Sequence, residues 1–126
     1  MHYDSFIRLI QERGRLERFG EAERAASAVL EVLGEHLSAE QAVRIAEQLP
    51  THIRDAVLQN NVAHSFGLEE FIRRVSDREE VGLQDAENHI RAVFSVLPDV
   101  ISLDAARDAI SQLPEEIRSL LSPALK

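Results

Sequence analysis

Apolar residues recur along the chain at spacings of three and four, which is the pattern of helices with one buried face. The longest helix is predicted over about residues 21–36, and a counterpart is predicted over about 84–97. Pro98 ends the counterpart, because proline disfavours a helical conformation in the residue before it. A shorter helix precedes each of these, with apolar faces on Phe6, Ile7, Leu9 and Ile10 and on Phe71, Ile72 and Val75. No alternating pattern indicates a strand, so the sequence predicts an all-α fold.

The starts of the third helices carry clear capping signals. Ser38 and Gln41 form a capping box, in which the serine and glutamine side chains accept from two otherwise unpaired backbone amides. Ser102 repeats the serine cap before a later helix. Loops rich in charge and glycine are predicted at 14–20 and 77–82. The inner faces of the two third helices are predicted to be Ala42, Ile45, Ala46 and Leu49, and Ala106, Ala109, Ile110 and Leu113.

A short phrase occurs twice in the chain. Gln48-Leu49-Pro50 followed by Ile53-Arg54 returns sixty-four residues later as Gln112-Leu113-Pro114 followed by Ile117-Arg118. In both copies Leu-Pro marks a corner into a short fourth helix, where the missing N–H of proline costs little. The matches extend through most of the chain at offsets of 64 or 65, as in Phe6-Ile7-Arg8 and Phe71-Ile72-Arg73. Two copies of this length indicate two fused units and not a solenoid.

We therefore expect one domain over residues 1–126, with a first repeat at about 3–58 and a second at about 68–122. A linker at about 59–67 joins them. Because a helical unit of about 60 residues buries little core alone, the two tandem four-helix repeats should pack against each other. The prediction is one compact helical bundle domain with pseudo-two-fold symmetry and seven to eight helices.

Composition excludes several kinds of partner. The formal net charge is −8, so binding to a nucleic-acid backbone or to an anionic membrane is not expected. No apolar run approaches the roughly 18 residues of a membrane span. The chain contains no cysteine, which removes disulfides, thiolate metal sites and cysteine nucleophiles. A cytoplasmic location is the simplest expectation.

A search for catalytic chemistry finds no motif. The sequence lacks G-x-S-x-G, the phosphate-binding glycine loops and H-E-x-x-H, so we expect neither an enzyme nor a cofactor. The histidines have no shared place in the two copies and are expected at the surface. A metal-dependent enzyme that uses His36, His52 and carboxylates is a remote alternative.

Arginine recurs at three matching positions of the two copies, which gives six repeated arginines. Two interpretations of their role remain open. Each arginine can pack its stem on the helices and pair with a carboxylate, which would be a structural role. Alternatively, the repeated arginines bind a small ligand or anion between the repeats. The ligand-binding candidates under this second interpretation are Arg13, Arg54, Arg78 and Arg118.

Several apolar residues do not fit the predicted inner faces. If exposed, they would be contact residues for a second copy of the chain or for a protein partner; otherwise they widen the core. These candidates are Val32, Val43, Leu58 and Val62. Together with the missing catalytic motifs, they make a non-enzymatic interaction or scaffold module the leading functional prediction.

Three segments resemble a known family. They are Tyr3-Asp4-x-Phe6-Ile7, the helix that contains Ala22-Glu23-Arg24-Ala25 and continues to Leu37-Ser38, and the repeated Q-L-P-x-x-I-R phrase. They are similar to the bacterial family called domain of unknown function 2267, over nearly the whole chain. The second copy departs where Leu68-Glu69 replaces Tyr3-Asp4 and where Pro98 replaces Gly34. The resemblance implies a small cytoplasmic, all-helical protein of uncharacterised role, and it brings no catalytic residues.

Overall fold

The computed structural model describes the backbone of residues 1–111 and 113–125, and the side chains of 1–108, 111 and 113–120. Within these residues the chain forms α-helices and no β-strand, which confirms the all-α prediction. There are eight α-helices in the described chain: α1 Tyr3–Gly14, α2 Phe19–Glu35, α3 Ala39–Ala46, α4 Arg54–Leu58, α5 Leu68–Glu79, α6 Leu83–Val96, α7 Leu103–Ile110 and α8 Glu115–Leu125. Single 3₁₀ turns at Thr51–Ile53 and Leu97–Asp99 precede α4 and follow α6.

Both predicted loops are shorter than the sequence pattern indicated. α2 begins at Phe19, so Gly20 is helical, and α5 continues to Glu79. The reason is a tight ending shared by α1 and α5. Arg15 and Glu80 adopt left-handed conformations with φ of 54° and 57°, and the amide that follows each one bonds back to the preceding helix. The chain therefore turns within a few residues and starts the next helix at once.

The predicted caps of the third helices are confirmed. Ser38 Oγ accepts from the Gln41 amide at 3.2 Å, and Gln41 Oε1 accepts from the Ser38 amide at 3.0 Å. Ser102 Oγ accepts from the Ala105 amide at 3.2 Å. Gln112 lies outside the described residues, as do the side chains of Ala109, Ile110 and Leu121.

The core is built around α2, which contacts α1, α4, α5 and α6. Helices of the first and second halves are in contact, because α1 also packs on α6 and α3 packs on α7. At Gly34, α2 approaches the end of α4 so closely that a Cβ would lie under 3.0 Å from the Val57 carbonyl oxygen. The side of α2 that meets these helices is buried, whereas Arg24 on the same helix is exposed. No helix in the described chain combines the length and apolarity needed to cross a bilayer.

The segment between α4 and α5 folds back over the C-terminal end of α2. Asn61 Nδ2 donates to the carbonyl oxygens of Gly34 and Val57 at 3.0 and 2.8 Å. The amides of Ala63 and His64 donate to two further carbonyls at this helix end. These bonds satisfy carbonyl groups at and just after the end of α2 and one in the last turn of α4, and they dock the segment on the core.

Candidate functional site

An ion-pair cluster around the carboxylate of Glu35 joins α2 to α5. The Glu35 side chain is only 5% exposed, and its Oε1 accepts from Arg74 Nη1 at 2.6 Å. Its Oε2 accepts from Arg78 Nη2, and Arg78 Nε also lies 3.8 Å from Glu31 Oε1. Burial raises the pKa of Glu35, but the hydrogen bonds and charges of Arg78 and Arg74 lower it by more, so the pKa lies below its ordinary value. The carboxylate is therefore held ionised between the two helices.

Arg13 joins the end of α1 to the far end of α6. Its Nη2 lies 2.9 Å from Asp99 Oδ2, and its Nη1 donates to the carbonyl oxygen of Ser95. The arginine and aspartate side chains remain 38% and 49% exposed. Water competes for both charges at this position, so the ion pair contributes at most about 1 kcal/mol.

Arg54 stabilises the corner that follows α3. Its Nε donates to the Leu49 carbonyl at 2.8 Å, and its Nη2 donates to the Glu47 carbonyl at 3.3 Å. Arg118, which follows the second Leu-Pro, has an exposed side chain on α8. The four arginines predicted as ligand contacts therefore lie at separate places. Three of them are bonded to groups of the protein itself.

The apolar contact candidates divide into one buried and three exposed residues. Val43, Leu58 and Val62 are 45%, 38% and 57% exposed. Val32 is fully buried in the core cluster, so it is not a contact residue and instead widens the core, the second of the two interpretations. The cause is that α5 and α6 also pack on α2, so residues outside its predicted apolar face are covered as well.

His36 is buried, which corrects the expectation that the histidines lie at the surface. Its ring centroid lies 4.0 Å from that of Phe66 and 5.6 Å from that of Phe71, and neither ring nitrogen has a hydrogen-bond partner among the described residues. Arg74 covers Phe66, with its guanidinium carbon 3.9 Å from the ring centre. Burial, followed by the Arg74 charge, lowers the pKa of His36 to about 4. The imidazole is thus neutral near neutral pH and packs as an aromatic ring.

His89 is also buried, and it pairs with Glu79 at the end of α5. The Nδ1 atom of His89 lies 2.8 and 2.9 Å from the two carboxylate oxygens of Glu79. The remote metal hypothesis relied on two other histidines, of which His36 is buried and His52 is exposed. No group of three metal-ligating side chains occurs among the residues whose placement is described.

Two polar clefts lie on either side of Tyr3. A cleft of about 480 Å³ runs along α2 and is lined by Glu23, Arg24, Glu31 and Arg78 in addition to Tyr3. The Tyr3 hydroxyl donates to the Glu23 carboxylate, and burial together with this carboxylate raises the pKa of Tyr3 above its ordinary value. A second cleft of about 300 Å³ lies beside the Leu-Pro corner. Tyr3 therefore forms a wall shared by two separate clefts.

Sequence reasoning missed Glu35, Arg74 and Phe66, which form the most heavily paired part of the molecule. Glu35 did carry a signal, because it follows the most apolar stretch of α2, residues 28–34, in which Glu31 is the one other charged residue. A charged group in such a place needs a partner of opposite charge. Phe66, in contrast, stood in a polar linker, and only the folded chain places its ring over His36.

These features define a small α-helical protein with internally paired arginines and polar surface clefts. The chain matches the family described as "Uncharacterized conserved protein (DUF2267)" over residues 3–120, and it belongs to that family. This confirms the resemblance drawn from its motifs. A comparison with curated proteins finds no match.

Proposed function

We propose that the protein is a non-enzymatic interaction module made of two fused copies of one helical unit. It binds a protein partner through an apolar surface of its first half, formed by Val43, Leu58 and Val62. The observation that carries the proposal is the exposure of these three side chains.

Helix positions support the duplication. α1 and α5 begin at Tyr3 and Leu68 and end at Gly14 and Glu79, an offset of sixty-five residues at both ends. The starts of α2 and α6, and of α3 and α7, differ by sixty-four. The left-handed residues that end α1 and α5 are again sixty-five apart. An inherited unit explains why the local backbone repeats with the sequence.

Contacts between the halves support pseudo-two-fold packing. Arg13 pairs with Asp99 and Arg78 pairs with Glu35, so both arginines of this matched pair reach an acid of the other half, and the two acids are sixty-four residues apart. In a two-fold arrangement, each contact between the halves occurs twice, with the roles of the halves exchanged. The single domain over residues 1–126 is part of this proposal.

A contact between equivalent positions of the two copies supports the same arrangement. Arg44 Nη1 lies 2.9 Å from Asp108 Oδ2, and these two positions are themselves sixty-four residues apart. A residue meets its own equivalent only beside the symmetry axis. The axis therefore passes between α3 and α7, which are in contact.

The apolar surface extends from α3 to the segment after α4. Leu58 ends α4, Val62 lies four residues later in the segment that follows, and Val43 lies on α3, which packs against α4. The net charge of −8 opposes the approach of a second copy, since like-charged molecules repel. We therefore expect a partner with a basic rim around an apolar centre.

The arginine site between the repeats has less support, because Arg13, Arg54 and Arg78 lie at separate places and no contact joins them into one site. The absence of catalytic motifs from the sequence supports the non-enzymatic role. The absence of cysteine favours a cytoplasmic location.

A cross-linked capture from the native lysate, followed by mass spectrometry, tests the interaction. The expected result is one dominant partner that is recovered with the native chain and lost with the triple variant V43S/L58S/V62S. The control variant L83S/L103S removes two other exposed leucines and should retain the partner. Circular dichroism checks that both variants are folded.

Light scattering of the purified chain separates the remaining outcomes. A monomer agrees with a heterologous partner. A dimer that the triple variant dissociates would instead establish self-association. Recovery of the same proteins with native and triple-variant chains, combined with a monomer, would refute the proposed surface.

A further inference from the structure

The cleft of about 300 Å³ beside the Leu-Pro corner differs in charge from the rest of the molecule. Its polar walls come from the start of α1 and from the corner before α4, and they include His2, Tyr3, Thr51, His52 and Arg54. No aspartate or glutamate lines this cleft among the described residues. The cleft along α2, in contrast, is lined by Glu23 and Glu31 as well as by arginines.

The arginine of this cleft is fixed in place and keeps unused donors. Arg54 uses its Nε and Nη2 for the carbonyl oxygens of Leu49 and Glu47. A guanidinium has five N–H groups, so further donors remain for a ligand. Because the two backbone bonds hold the side chain in one orientation, less entropy is lost when it binds an anion.

The wall formed by the start of α1 is also held in position. His52 meets the Tyr3 ring edge to face, with centroids 5.7 Å apart and an interplanar angle of 78°. Tyr3 is anchored in turn by its bond to Glu23. The imidazole of His52 and the hydroxyl of Thr51 can each donate a hydrogen bond. Arginine, imidazole and hydroxyl donors are the groups that bind oxyanions.

We propose that this cleft binds a small organic molecule through an oxyanion group, either a phosphoryl or a carboxylate group. Its volume exceeds that of one such group and lies at the lower end of the range of small-ligand pockets. Arg54 binds the anion, while His52 and Thr51 add hydrogen bonds. The proposal does not depend on the protein partner described above, since it involves other side chains.

Amide NMR titrations of the full chain with inorganic phosphate and with acetate, at constant ionic strength, test this site. We expect saturable shifts of the Thr51, His52 and Arg54 amides with at least one of the two anions. A lower Kd for phosphate identifies a phosphoryl ligand, and a lower Kd for acetate identifies a carboxylate ligand.

Two variants and a matched control make the test specific. R54Q should raise the Kd about tenfold or more, the effect of losing one charge-assisted hydrogen bond. The double variant H52F/T51V keeps the backbone bonds of Arg54 and an aromatic ring beside Tyr3, but it removes two hydrogen-bond donors. It should therefore also raise the Kd, and it tests the site if R54Q is unstable. R118Q changes the exposed arginine of the second phrase and should leave the Kd unchanged. Shifts that do not saturate, or a Kd unaffected in both R54Q and H52F/T51V, would overturn the site.

Discussion

Two arginines at matching places in the chain should differ in their contribution to stability. Arg78 pairs with Glu35, whose side chain is 5% exposed, whereas Arg13 pairs with Asp99 in an ion pair whose side chains are 38% and 49% exposed. Arg78→Ala removes one charge-assisted hydrogen bond from a buried carboxylate, a loss of about 1.5–3 kcal/mol. Arg74 still pairs with Glu35 in this variant, so the loss should not reach the larger values measured for a buried charge left without a partner.

Arg13→Ala is the matched control. Its ion pair is largely solvated, so the expected loss is about 1 kcal/mol or less. Urea denaturation followed by circular dichroism at neutral pH measures both free energies of unfolding. A double-mutant cycle that combines Arg78→Ala with Glu35→Gln then isolates the coupling between the two side chains.

The pH dependence of Arg78→Ala gives a second check. The pKa of Glu35 is lowered in the folded protein, so its contribution is complete above the ordinary carboxyl pKa and is lost as the pH falls through the folded value. The difference between native and variant chains should therefore shrink in acid. Equal losses for Arg13→Ala and Arg78→Ala, or a difference that does not change with pH, would refute the reasoning from burial.

Three further changes test the close approach of α2 to α4, the buried ring of His36 and the buried pair of His89 and Glu79. Gly34→Ala should destabilise by about 1–3 kcal/mol in urea unfolding, because its Cβ overlaps a backbone carbonyl, whereas Gly20→Ala in the same helix has open space and should be neutral or stabilising. The pKa of His36 is lowered to about 4, so the free energy of unfolding should fall as the pH drops from 6.5 towards 4, by up to about 1.4 kcal/mol per pH unit. His36→Phe should flatten this slope, and an unchanged slope would contradict the assignment. His89→Leu should cost about 1–3 kcal/mol by leaving the buried Glu79 carboxylate without this hydrogen-bond partner, and the double variant with Glu79→Leu should recover most of the loss in urea unfolding.

The helices themselves could be predicted because their causes are local. The capping box at Ser38 and the stop before Pro98 depend on groups within a few residues of each other, and both are observed. Apolar spacing likewise identified most of the buried faces. The loop lengths were overestimated because charge and glycine at 14–20 look like a loop, although the left-handed Arg15 lets α2 start early.

The candidate sites could be predicted less well, since their properties depend on distant residues. The sequence singled out Arg78 but not Glu35, which is forty-three positions away. It left open whether Val32 is exposed and predicted His36 at the surface, because the apolar pattern of one helix does not show how many neighbouring helices cover it. The cleft at Arg54 contains part of the repeated phrase, but its second wall comes from the start of the chain, which the phrase does not indicate.

The sequence alone determined the helices, their caps and the repeated pattern, because backbone hydrogen bonding and helical periodicity act over a few residues. Only the tertiary structure decided which charges are buried, which arginines keep unused donors, and which apolar side chains remain in water. Those properties follow from the packing of segments far apart in the chain. This packing leaves the Arg13–Asp99 pair in contact with water and buries the carboxylate that Arg78 binds, so the loss of the arginine should cost more at Arg78.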